Sequence, residues 1–233
     1  LAAMIKGDEK SIYAFNVTST ELLVAAAKEQ KVKQFIFLSS ENVVWPKQSA
    51  YGLSKVMGEQ ITKRFQHHLI LRCSVVYGRE NKINLGKIIN IIKKRRVIII
   101  PGNGKNAMQP IYVEDVAYFI KKGIEGGLEG TYIIAGRSKI SLNEFIDRVS
   151  HSLGKKMIKI HLPPWLVYPC IKVSELLPHP PVRWSQIKNM NTNRVYNIDK
   201  TIRDFGYTPM QIEEGLAKMF SEKKFSSLGA IHQ

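Results

Sequence analysis

The sequence is poor in cysteine, with two in 233 residues, Cys73 and Cys170, both in apolar surroundings. That count excludes a disulfide-stapled secreted scaffold, and the pair reads as buried thiols in a reducing compartment. No apolar run reaches membrane-spanning length; the longest, "VIIIPG" at 97–102, is the size of a strand. No signal-peptide pattern is read at its start, so the expected location is the cytoplasm. Acidic residues are scarce, 19 against 35 Lys and Arg, which leaves a net charge of +16. Apart from "KKRR" at 93–96 the basic residues are spread along the chain, and no nucleic-acid motif accompanies them. Neither nucleic acid nor membrane is the expected partner; attraction for an anionic substrate or cofactor accounts for the charge. His67, His68, His151, His161 and His179 show no metal-ligand spacing, so no metal is expected. There is no internal repeat. Residue 1 is Leu, and "LAAM" reads as a strand entered midway, which leads to the expectation that a segment precedes it.

What is present is alternation. Helical periodicity over 11–30 and 51–65 brackets a short buried strand, "KQFIFLSS", that ends in Ser39 and Ser40. The pattern continues with a strand at 69–76, a helix at 84–94, a strand at 97–104, a strand–helix at 111–126 and a strand at 131–136. Helix 51–65 contains Gly58, its weak point by propensity. Ser141 and Glu144 form a capping box for a helix that Gly154 closes. Beyond Gly154 the chain reads as proline-rich and irregular until a helix at 210–220 and a frayed tail. This β-α-β-α order predicts an α/β fold, a doubly wound parallel sheet covered by helices on both faces. Ligands bind beyond the C-terminal strand ends in such sheets, where Ser39–Ser40 and "SVVYG" (74–78) fall.

"AYGLSK" at 50–55 places Tyr51 and Lys55 at i, i+4, on one helix face. A tyrosine beside an ammonium can move protons in a hydride-transfer reaction. The same spacing occurs at Tyr118/Lys122, Tyr168/Lys172 and Tyr196/Lys200, and about one such pair arises by accident at this lysine frequency. Tyr51 is distinguished by a strand-end serine behind it and a strand directly after. Tyr118 reads as a core residue, Tyr168 precedes a proline, and Tyr196 lies in a polar connection. The plain alternatives are turn chemistry for the serines and ordinary helix surface for the pair.

Six stretches, in order, resemble the extended short-chain dehydrogenase/reductases, the NAD-dependent epimerase/dehydratase family: "LAA" (1–3), "NVTSTELLVAAAKEQKVKQFIFLSS" (16–40), "YGLSK" (51–55), "LRCSVVYG" (71–78), "PGNGKNAMQPIYVEDVA" (101–117) and "GYTPMQIEEGL" (206–216). The resemblance implies a Rossmann-like domain, N-terminally truncated, over 1–155. Within it, 79–110 contribute to the substrate side, and a small C-terminal α/β substrate lobe follows at 156–233. Members open with a glycine-rich strand–turn–helix for the dinucleotide pyrophosphate, which is expected to lie upstream of Leu1.

By the same resemblance Tyr51 is the general acid/base, Lys55 lowers its pKa and binds the nicotinamide ribose, and Ser40, in preference to Ser39, polarises the substrate oxygen. Ala2, Ala3, Ser39, Tyr51, Lys55, Cys73 and Val75 would line NAD or NADP. Glu41, Asn42, Lys105, Met108 and Arg183 fall at substrate positions. Several residues depart from the nucleotide-sugar pattern. The serine-to-tyrosine interval "SSENVVWPKQSAY" is short. Val75 replaces an amide, and Met108 replaces a diphosphate-gripping arginine, for which Lys105, Arg95 or Arg183 are substitutes. Asn42 stands where a dehydratase needs a carboxylate. The expected activity is hydride transfer at a carbinol or ketone carbon, with a nucleotide sugar as substrate. The alternatives are reduction of a less charged ketone, or a non-catalytic nicotinamide-binding role like that of the respiratory complex I accessory subunit. A homodimer through helices 11–30 and 51–66 is the expected assembly.

Overall fold

The computed structural model describes residues 3–5, 7–46, 48–174 and 192–221. Ala2, Arg183, His179, the segment "LLPHPP" and the tail beyond Ser221 lie outside them. Two compact units are formed, and they interleave in sequence. The first is Leu1–Ser74, Val113–Ala135 and Asn197–Pro209; the second is Val75–Tyr112, Gly136–Tyr196 and Met210–Gln233. The division expected at residue 155 therefore does not coincide with a break between units.

The first unit is built on three parallel strands in the order β1 (Phe35–Ser40), β2 (His68–Cys73) and β7 (Gly130–Ile134). Leu69, Ile70 and Leu71, in the middle of this sheet, are fully buried, as both-face coverage requires. Among the described residues β1 is bonded on one side only. Ile36 and Leu38 on it are half-buried.

The helix predicted over 11–30 is divided. α1 (Glu9–Tyr13) passes through a π turn (Ala14–Thr18) into α2 (Ser19–Glu29). A π turn widens the helix by one residue. Here it accompanies Asn16, buried in mid-turn, whose amide accepts from the Met4 N–H (2.8 Å) and donates to the Met4 carbonyl (2.9 Å). On α2, Leu22 and Leu23 are exposed while Val24 is buried against Ile61 and Phe65. The packing of α3 (Ala50–Thr62) against α2 covers Val24.

Gly58 is where α3 meets β1. A Cβ there would sit 2.5 Å from the Phe37 ring. The glycine that weakens the helix by propensity is what lets the helix close on the strand. Elsewhere in this unit, Tyr207 of "GYTP" donates a hydrogen bond to buried Asp115 of "YVEDVA", at the start of α5 (Val113–Glu125). Two stretches of the family resemblance thereby meet.

The second unit holds three strand pairs: β3 (Val76–Tyr77) with β6 (Ile111–Tyr112), β4 (Val97–Pro101) with β9 (Ile158–Leu162), and β5 (Ala107–Met108) antiparallel to β8 (Ile140–Ser141). Its core joins Tyr77, Ile100 and Met108 to α4 (Leu85–Lys94), α6 (Leu142–Ser152) and the helix Ile212–Ser221. The predicted capping box is formed, with the Ser141 hydroxyl accepting from the Glu144 N–H and the Glu144 carboxylate accepting from the Ser141 N–H. The region expected to be irregular after Gly154 instead holds β9 and α7 (Pro164–Ser174). "IKIHL" has the period of a strand, and Pro164 stands at the first helical position, where its missing N–H costs no bond.

Gly58→Ala separates two effects of opposite sign. Helix propensity alone would stabilise the protein by about 1 kcal/mol. The Phe37 contact should reverse that and destabilise it by about 1–3 kcal/mol. Urea denaturation reads the difference, and a raised midpoint would refute the contact.

Candidate active site

At the C-terminal ends of β1 and β2, Ser40 lies opposite Cys73 in register. Ser40 caps a short 3₁₀ turn (Glu41–Val44), its hydroxyl oxygen accepting from the Asn42 N–H at 3.3 Å. A hydroxyl has one proton, and this cap leaves it free. The Ser40 side chain lies beside Tyr51, the second residue of α3, and acts on its phenol. Ser49 starts that helix by accepting from the Gly52 N–H at 3.2 Å.

Burial pushes the Tyr51 hydroxyl up to about 12, the neighbouring Cys73 adds to the rise, and the Ser40 side chain opposes it. Lys55 is buried, 8% exposed, and its ammonium donates to the Leu38 carbonyl at 2.9 Å. It stands 4.6 Å from the Phe37 ring centroid and 5.9 Å from that of Tyr51. Burial lowers its pKa, with Cys73 and Glu59 opposing. The direction at Tyr51 is the opposite of the depression expected from Lys55, and desolvation of the phenol is its largest cause. Cys73 is half-buried as a residue, yet desolvation holds its thiol up at about 12.

Ring-to-lysine distance does not single out Tyr51. Lys122 lies 5.6 Å from the Tyr118 ring centroid and Lys172 lies 5.8 Å from that of Tyr168. Burial separates it from two of them: Tyr51 is half-buried, while Tyr118 and Tyr168 are 38% and 41% exposed. Tyr118 is therefore not the core residue expected; it stacks on Tyr207 at 4.1 Å between centroids. Lys200 turns to the Tyr132 ring at 4.2 Å.

Ser39 faces a different partner. Its hydroxyl donates to Glu59 at 2.6 Å, and the same carboxylate takes Arg72 at 2.9 and 2.7 Å through Nε and Nη2. Ser39 and Arg72 are register partners on adjacent strands, so one carboxylate on α3 ties both strands to the helix. Its expected place against a cofactor is not what its hydroxyl serves. Glu59 is missed by motif reading, although it continues the stripe Tyr51, Lys55, Glu59 at four-residue steps. Asn16 is missed too; its amide donates to the Ser54 hydroxyl at 3.0 Å, and Ser54 donates to the Tyr51 carbonyl at 2.8 Å.

Among the other expected residues, Ala3 lies in the irregular segment beside Met4, and Glu41 is buried. Val75, Lys105 and Met108 belong to the second unit. Val75 accepts from the Ile111 N–H at 3.0 Å, and Lys105 is exposed in a turn capped by Asn103. Met108 is 3% exposed and packed in the core, which withdraws it from substrate contact. Among the described residues no group of three or more His, Cys, Asp and Glu side chains forms a metal site.

A serine, a tyrosine and a lysine converge at the C-terminal edge of a parallel sheet, an arrangement able to hold and protonate a substrate oxygen. The model of the NAD dependent epimerase/dehydratase family matches residues 5–135, more than half of the chain. The chain belongs to the NAD dependent epimerase/dehydratase family. It is similar to N-acetyl-alpha-D-glucosaminyl-diphospho-ditrans,octacis-undecaprenol 4-epimerase of Escherichia coli O157:H7, 27% identical over 65% of this chain and 52% of that protein. It is also similar to 3beta-hydroxysteroid-dehydrogenase/decarboxylase isoform 1 of Arabidopsis thaliana, 24% identical over 95% of this chain and 60% of that one. The chain therefore spans between half and three-fifths of these relatives' length. The fold matches the crystal structure of UDP-glucuronic acid 4-epimerase from Bacillus cereus in complex with NAD, with a TM-score of 0.75, 22% identity, and coverage of 97% of this chain and 73% of that one. The architecture is Rossmann-like.

Two outcomes are expected. Glu59→Ala leaves Arg72 and Ser39 without their shared acceptor and should cost about 2–3 kcal/mol, short of the fully buried figure because Arg72 keeps some solvent contact; an unchanged urea midpoint would contradict this. Tyr51 titrates higher folded than its ordinary 10, so its contribution to stability is complete below pH 10 and is lost as pH rises toward 12. Tyr51→Phe should therefore flatten the fall in stability between about pH 10 and about pH 12, leaving the part that Cys73 supplies with the same sign.

Proposed function

We propose that this chain carries the proton-transfer centre of an NAD(P)-dependent oxidoreductase or epimerase acting at a carbinol or ketone carbon. One observation carries the reading: a desolvated Tyr51 hydroxyl beside Ser40, with Lys55 buried on the same helix face. Ser40, fixed by the Asn42 N–H, orients the tyrosine; a substrate oxygen entering between them receives hydrogen bonds from both. Tyr51, neutral at working pH, gives its proton to a ketone oxygen; in the reverse direction it is the phenolate that accepts the proton of an alcohol. The nicotinamide supplies or accepts the hydride when bound. Tyr51 and Lys55 hold its ribose, the ammonium having donors beyond the one given to Leu38; Ala3 and Cys73 border it. Among the described residues of the first unit no glycine-rich turn follows a strand, so the pyrophosphate is assigned to none of them.

The favoured substrate is a nucleotide sugar, as in the UDP-glucuronic acid 4-epimerase whose fold the chain shares; the bacterial relative in sequence acts on a sugar carried on a polyprenol diphosphate. Glu41 and Asn42 remain its assigned contacts in the first unit. A second reading, a less charged alcohol or ketone, is supported by the apolar burial of Met108 and by similarity to the plant steroid dehydrogenase along most of this chain. The relatives carry the names of enzymes, which favours turnover over a purely binding role. The same reading includes a homodimer through α2 and α3, where Leu22, Leu23, Leu53 and Met57 are exposed.

In the intact protein, Tyr51→Phe should lower turnover by roughly 10²–10⁴-fold, while Tyr118→Phe leaves it unchanged. Nicotinamide absorbance at saturating cofactor, with UDP-sugars and with uncharged secondary alcohols offered separately, reads both the role and the substrate class. Equal losses in the two variants would overturn the assignment.

A further inference from the structure

We propose that the second unit bears a face that seats on the surface of an anionic bilayer. β4 and β9 pair in parallel, with Val97 opposite Ile158 and Ile99 opposite Ile160. Strand alternation turns Ile98 and Ile100 into the core and these four the other way. Val97, Ile99, Ile158 and Ile160 are 41%, 59%, 63% and 43% exposed. The outer face of a half-buried sheet is ordinarily polar; four β-branched apolar side chains in register reverse that rule. No other described strand pairs with either. From β9 the chain runs through Pro163 into α7, where Trp165 is 73% exposed.

Charge decides what this face fits. Arg95 and Arg96 precede β4 and Lys156 precedes β9, and all three are exposed. The Ile158 N–H donates to the Arg96 carbonyl at 2.9 Å, so the two basic ends lie side by side. On α6, the Asp147 carboxylate is engaged by Lys159, at 2.6 and 2.7 Å, and adds no free negative charge. A second copy of the chain would bring like charge against like charge. An anionic lipid surface offers headgroups to the basic ends, an acyl boundary to the isoleucines and an interface to the tryptophan. Among the described residues no helix is long and apolar enough to cross a membrane, so the attachment is peripheral. A period-two pattern does not say which side of a strand is covered, so the sequence alone does not mark this face. The inference does not depend on the chemistry at Tyr51.

Co-sedimentation of the intact protein with vesicles of phosphatidylglycerol and phosphatidylcholine in equal parts tests it. Binding is expected to those vesicles and not to phosphatidylcholine alone. Ile99→Glu with Ile160→Glu, and separately Arg95→Glu with Arg96→Glu, should each weaken it roughly tenfold or more, with the circular dichroism spectrum unchanged. If the glutamate pair loses its fold, Ile99→Ser with Ile160→Ser replaces it, with the same direction expected. In a Trp45→Phe, Trp184→Phe background, Trp165 emission should shift to the blue on adding the anionic vesicles. Failure to pellet with anionic vesicles, pelleting unaffected by the isoleucine changes, or self-association through these residues without vesicle binding would each overturn the proposal.

Discussion

The candidate site depends on how closely α3 lies on β1. Gly58 lets the Phe37 ring seat against the helix backbone, and the same ring lies under the Lys55 ammonium. That contact sets the height of the helix over the strand. It places Lys55 within reach of the Leu38 carbonyl and Tyr51 within reach of Ser40. A bulkier residue at 58 would lift the helix, and every later distance would change. The apolar contact and the polar site are thus one structure, in which packing fixes what the hydrogen bonds then orient.

Around that contact the charges are arranged in pairs and gradients. Glu59 gathers Ser39 and Arg72 from two strands, which neutralises a buried carboxylate where an isolated one would be costly. One turn back, Lys55 rests on a carbonyl and an aromatic face, with no carboxylate among the described residues bonded to it, and burial lowers its pKa. Another turn back, Tyr51 is held neutral. A single helix face therefore runs from a settled ion pair to a cation and a phenol whose protonation is sensitive to any charge brought beside them. Sensitivity of that kind suits groups that exchange protons with a substrate.

Much of this was legible in the sequence. Element order, the parallel sheet and the convergence of Ser40 with Tyr51 and Lys55 follow from periodicity, strand-end serines and the i, i+4 pair. The parts that were not legible depend on pairing between distant segments. Ser39 reads like Ser40 until the register sets it beside Arg72 under Glu59. Met108 aligns with a ligand position, yet the packing of β5 on β8 and α6 makes it core. The π turn at Ala14–Thr18 sits in a segment with good helix formers throughout; the clasp between Asn16 and Met4 is a tertiary contact that no local propensity encodes. Gly58 shows the same limit in reverse, since propensity marks as a defect what the tertiary contact requires.

The central claim is that Ser40 and Tyr51 act together on one oxygen. A double-mutant cycle on turnover in the intact protein tests it most directly. Groups serving one oxygen are not additive. The account predicts that Ser40→Ala combined with Tyr51→Phe loses no more than about the larger single loss. Losses that multiply would show two independent contributions and contradict a shared proton-transfer centre.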